Sequence, residues 1–122
     1  MTIKRGYRDL EVWGRGKALA VCAFKATASI NFRSDWGLRD QIRRSAISVP
    51  SNIAEGSQRG SDRESIRFFY YSRASIAELS TQLEIALEVG LIDATIASPL
   101  LDECETLSAM LMKLIEARRQ AA

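Results

Sequence analysis

The chain has 122 residues, 47% of them hydrophobic and 26% charged, and a formal net charge of +2. That length suits a single domain with its own core, and the apolar fraction excludes a disordered chain. No run approaches about 18 consecutive apolar residues, so no membrane-spanning helix is expected; the opening MTIKRGYRDLEVW lacks the apolar stretch of a signal peptide, which points to the cytoplasm.

Histidine is absent, which removes the commonest general base and the commonest metal ligand. Cys22 and Cys104 are far apart and both fall at apolar helical positions, so two buried free thiols are expected, and neither a metal nor another cofactor. The charge is uneven. Residues 1–73 carry 14 Lys/Arg against 7 Asp/Glu, and residues 74–122 carry 3 against 8. Such asymmetry suits a nucleic-acid face, subunits that attract one another, or antiparallel helices that pair their charges.

The first predicted element is a helix over about 9–30. Leu10, Trp13, Ala20, Phe24 and Ala28 form one stripe at helical spacing, and Val12, Leu19, Cys22, Ala26 and Ile30 a second. Gly14 and Gly16 weaken this helix by about 1 kcal/mol each and suggest close approach of another backbone. NFRSD at 31–35 reads as a turn.

The second helix is predicted over 35–55, with Ser34 or Asp35 as N-cap and Leu38, Ile42, Ala46, Val49 and Ile53 facing inward. Pro50 removes one backbone donor and leaves the Ala46 carbonyl without its helical partner. The stripe continues past it to Ile53, so a kinked helix is expected, with Gly56 as its stop. Asn52 is placed to satisfy the freed group. Glu55, at the unfavourable end of the macrodipole, needs a cation such as Arg59, Arg63 or Arg67. Pro50, Asn52 and Glu55 are thus a candidate structural polar cluster.

The third helix is predicted over 62–89. Ser61 and Glu64 have the spacing of a capping box. Ile66, Phe69, Ile76, Leu83 and Leu87 form the core stripe, with Tyr70, Ala74 and Ala77 beside it, and Gly90 ends the helix. The fourth is predicted over 94–119. Asp93 offers one start and Ser98-Pro99 a cleaner one. Leu100, Cys104, Leu107, Leu111 and Leu114 keep a 4-3-4-3 seam.

Short connections make neighbouring helices antiparallel, so the expected fold is all-α, an up-down-up-down four-helix bundle. Helices one and four carry more apolar surface than a single buried face needs, which suggests a subunit interface and hence a homo-oligomer. WGRGKA at 13–18 lacks both the strand and the spacing of a phosphate loop. No serine sits in a nucleophile elbow, and the di-iron pattern needs histidines. No enzymatic activity is expected.

The arginines carry the functional expectation. Arg39 and Arg43 share a helical face, and Asp40 and Arg44 are spaced to pair. With α2 and α3 antiparallel, Arg43 falls roughly opposite Glu78 or its neighbours, and a salt bridge there, worth at most about 1 kcal/mol if exposed, is the structural alternative. Arg59, Arg63 and Arg67 recur every four residues, and Arg73 follows. Arg39, Arg43, Arg59, Arg63 and Arg67 are the candidate nucleic-acid-binding set, tracking phosphates of RNA or DNA with little sequence preference. Tyr70 and Tyr71 offer stacking, with core packing the expected use of at least one. The alternative is a structural or protein-interaction module whose arginines form intersubunit salt bridges.

LEVW at 10–13, QIRRSAISVPSNIAEGSQRGS at 41–61 and ASIAELSTQLEIALEVGLI at 74–92 closely resemble the four-helix-bundle family named for proteins encoded in 23S rRNA intervening sequences. That family is similar to the accessory variability proteins of diversity-generating retroelements. The likeness covers nearly the whole chain; Ala74, usually glycine, and Pro99 depart from it. The resemblance implies an up-down-up-down bundle, a homopentameric ring and no enzyme activity. Its retroelement relatives bind nucleic acid and a reverse transcriptase, so these are the partners that it suggests beyond the chain itself.

Overall fold

A computed structural model describes residues 6–121 of the chain. Four helices run α1 Glu11–Ala26, α2 Trp36–Ser57, α3 Asp62–Glu88 and α4 Ala94–Ala121. Short 3-10 turns lie at Gly6–Asp9 and Ile30–Ser34. Each helix packs against its neighbour in sequence, and α1 also packs against α4, with no diagonal packing among the described residues. That is the square of an up-down-up-down bundle. No helix among the described residues is long and apolar enough to cross a membrane.

The boundaries have local causes. Ser61, in extended backbone geometry, accepts the Glu64 amide at 3.2 Å and starts α3; the Glu64 carboxylate turns to Arg67 instead of reaching back. Gly90, at φ +83°, ends α3. The Leu91 amide bonds back to Ala86 O at 2.8 Å and the Gly90 amide to Leu87 O at 3.1 Å, the double closure of a Schellman motif. α4 starts at Asp93, whose Oδ1 accepts the Ile96 amide at 3.1 Å. The Ser98-Pro99 start is therefore not used; Pro99 lies inside the helix, past the first-turn amides that lack partners, and leaves the Thr95 carbonyl without its helical donor. α1 stops at Ala26, four residues short of its expected end; Thr27 caps it, its hydroxyl donating to Ala23 O at 2.9 Å.

α2 runs unbroken through Pro50 to Ser57, so Gly56 is not its stop. Gly56 is a buried contact: a Cβ there would lie 2.8 Å from Phe69 Cε1. Gly16 plays the same part between α1 and α2, its missing Cβ 3.3 Å from Val49 Cγ1, whereas Gly14 faces open space. The α2–α3 seam is tied by hydroxyls. Ser65 donates to Gly56 O at 2.6 Å, Ser72 to Val49 O at 2.8 Å, and Ser75 to the Ser48 hydroxyl at 2.9 Å. Asn52 donates to Ser48 O and Oγ, both at 2.9 Å, and not to the Ala46 carbonyl that the sequence suggested.

The core is led by Phe32, Phe69, Leu79, Leu83, Leu107, Leu111 and Ile115. Ile115 takes the last seam position in α4 and Leu114 is only partly buried, because a straight helix drifts from a seven-residue repeat. Cys104 is buried as expected, and burial pushes its thiol above the ordinary value. Cys22 is exposed, contrary to expectation. Arg15 clamps α1 to α4 through Glu103, with Nη2 to Oε1 at 2.6 Å and Nε to Oε2 at 2.9 Å; the hydrogen bond and charge of Glu103 raise the guanidinium pKa.

Candidate nucleic-acid interface

The five arginines singled out in sequence fall at two places. Arg39 and Arg59 both lie on or just past α2, 20 residues apart, which is about 30 Å along a helix. The chain therefore has no single basic face built from all five.

At the end where α2 begins, Arg43 is engaged in the fold. The Arg43 Nε donates to the Thr27 hydroxyl at 2.9 Å and its Nη2 to Phe24 O at 3.3 Å. Arg43 thus closes the C-terminus of α1, where a cation is favoured, and stacks on Phe24 at 4.7 Å. Its expected partner Glu78 is not used. Arg39 lies 3.9 Å over the Trp36 ring and pairs with Asp40 at 3.2 Å. Asp40 thereby serves its neighbour and not Arg44. Arg73 is also spoken for, its Nε donating to Ser108 O and Oγ at 3.2 Å across the α3–α4 seam.

The other end gathers the start of α1, the α2–α3 turn and the end of α4. Arg59, Arg63 and Arg67 are all exposed here. Arg59 pairs with Glu55 at 3.3 Å and lies 4.1 Å over the Phe68 ring. Glu55 thus has its compensating cation, one turn on. Arg67 pairs with Glu64 at 3.3 Å and stands 5.5 Å from Phe68 and 6.0 Å from Tyr71. Phe68 and Tyr71 meet edge to face, with centroids 5.4 Å apart. Tyr70 accepts from Arg119 Nη2 at 2.8 Å, and Arg118 approaches Asp62 at 3.8 Å.

Both tyrosines are exposed, so neither serves as a core residue. The part played by Phe68, Arg118 and Arg119 was not anticipated. The i, i+3 spacing of Phe68 and Tyr71 and the i, i+4 spacing of Arg67 and Tyr71 carry the signal for the first; the docking of α4 at this end needs the fold. The surface ion pairs do not close the site. Exposed pairs are worth about 0–1 kcal/mol each, so a phosphate can exchange for Glu55 or Glu64 at small cost.

The crystal structure of a protein with unknown function from the S23 ribosomal protein family of Bacteroides thetaiotaomicron VPI-5482 matches this fold with a TM-score of 0.78 at 20% identity, covering 85% of this chain and 97% of that one. None of the curated proteins matches. The family model described as 23S rRNA-intervening sequence protein matches residues 8–113, and the chain belongs to that family.

Proposed function

We propose that the chain is a non-catalytic, self-associating cytoplasmic protein that binds RNA or DNA by its phosphates at the α2–α3 end of the bundle. The observation that carries this reading is the exposed Arg59, Arg63 and Arg67 set beside Phe68 and Tyr71, in which Arg59 and Arg67 are held by exposed ion pairs and ring contacts. Arg43 takes a structural part, and Arg39 stands about 30 Å along α2 from this set, beside the exposed Trp36. Self-association draws support from α1, which is flanked by two apolar grooves: one of about 440 Å³ against α4, lined by Ala18, Cys22, Ile96 and Pro99, and one of about 530 Å³ against α2, lined by Trp13, Val21, Phe24 and Ile47. A ring of five is the form that the family resemblance suggests, and it would repeat the arginine end around an axis.

Binding of labelled RNA and DNA measured over a salt series tests this. On duplex DNA, log K should fall with log salt at a slope near −0.9 per phosphate neutralised. Replacing Arg59, Arg63 and Arg67 together by Gln should weaken binding and flatten that slope while light scattering reports an unchanged assembly. Absence of binding at low salt overturns the reading; loss of the assembly in the triple variant would favour arginines that serve subunit pairing.

A further inference from the structure

We infer that Tyr71 is a stacking platform for an unpaired base, which makes single-stranded nucleic acid, RNA or DNA, the preferred ligand of the α2–α3 end; this rests on the phosphate-binding reading above. Phe68 is half-buried, with Arg59 at 4.1 Å and Arg67 at 5.5 Å from its centroid, so its faces are attended by guanidinium groups. Tyr71 differs. It is 47% exposed, although Phe68 meets it at 82° between ring planes and Arg67 reaches it from one turn back.

These contacts hold the ring's position and still leave about half of the residue open to solvent. Such a ring loses little freedom when a base lies on it, which favours stacking over a mobile surface aromatic. Arg63, Arg67 and Tyr71 are spaced by four residues along α3, about 6 Å per step. Phosphate and base contacts therefore fall in one line along the helix. A duplex keeps its bases stacked inside and offers this line only phosphates; an unpaired strand offers both phosphates and base faces. Among the described residues at this end none forms a base-reading motif, so the platform is indifferent to which base it holds.

The test compares four labelled probes over a salt series: 15-nucleotide adenine strands of RNA and of DNA, an abasic DNA strand of equal length, and a 15-base-pair duplex. The adenine strands are expected to bind about tenfold tighter than the abasic strand. Tyr71→Leu should erase that difference while leaving the salt slope intact, and Tyr71→Phe, which keeps the ring, should preserve it. Circular dichroism of each variant checks that the exposed substitution leaves the helices formed. Equal binding of adenine and abasic strands, or an advantage that survives Tyr71→Leu, overturns the platform and leaves phosphate binding standing. No binding of any probe overturns both.

Discussion

Gly56 is buried at the turn end of the α2–α3 seam, where a methyl group would meet the Phe69 ring at 2.8 Å and Phe68 Cβ at 3.1 Å. Phe69 is itself fully buried and has nowhere to retreat. Gly56→Ala should therefore destabilise the fold by about 1–3 kcal/mol through overpacking, despite the better helix propensity of alanine. Gly14→Ala should do the reverse, adding up to about 1 kcal/mol, because its Cβ position faces open space, with no atom from another helix within 4 Å. Urea midpoints at constant m separate the two; a stabilised Gly56→Ala protein would mean that the α2–α3 approach is looser than described. The sequence reading treated Gly14 and Gly16 alike and took Gly56 for a helix stop. A glycine's local cost is visible in sequence, but the atom that its missing side chain would strike belongs to another helix.

At the scale of the helices, type and order were readable from apolar spacing, and the seam between α2 and α3 was only half readable. Counting apolar residues alone left α3 with gaps. With its serines included, Ser65, Phe69, Ser72, Ile76, Leu79, Leu83 and Ala86 follow an unbroken 4-3 alternation, and all seven are buried. Ile42, Ala46, Val49, Ile53 and Gly56 do the same in α2. Serine reads as solvent-facing in a helix, yet here its small volume admits close packing while its hydroxyl donates across the seam. Ser72→Ala should cost about 1 kcal/mol, the net worth of one buried hydrogen bond, since Ser72 is fully buried and donates to Val49 O at 2.8 Å. Thr81→Ala serves as the contrast. Its exposed hydroxyl returns to Ala77 O in its own helix, so its loss should cost nothing measurable in the same melts. Equal midpoints for both variants would remove the serine seam as a source of stability.

For the whole molecule, sequence reasoning located an apolar surplus in α1 but not where it would surface. Of the second α1 stripe, Val12 and Leu19 are buried while Cys22 and Ile30 are exposed. Val21, in neither predicted stripe, stands 44% exposed in the α1–α2 groove, and Ile96 is 42% exposed in the α1–α4 groove. The local charge excess was equally misleading as a surface map, because the length of α2 carries its arginines to opposite ends of the bundle. If copies of the chain meet over α1, Val21→Glu places a carboxylate in a contact that should be dry. Burying valine is worth about 1.5–3 kcal/mol, and burying an unpaired charge costs more than the lost contact. The assembly should then fall to monomers at micromolar concentration while the helical circular dichroism signal stays unchanged. Ile85→Glu is the matched control: its side chain is 46% exposed on α3, diagonal to α1 and outside both grooves. Light scattering of the two variants beside the parent decides the matter. A monomeric parent, or a Val21→Glu protein that assembles as the parent does, would mean that copies do not join through the α1 grooves.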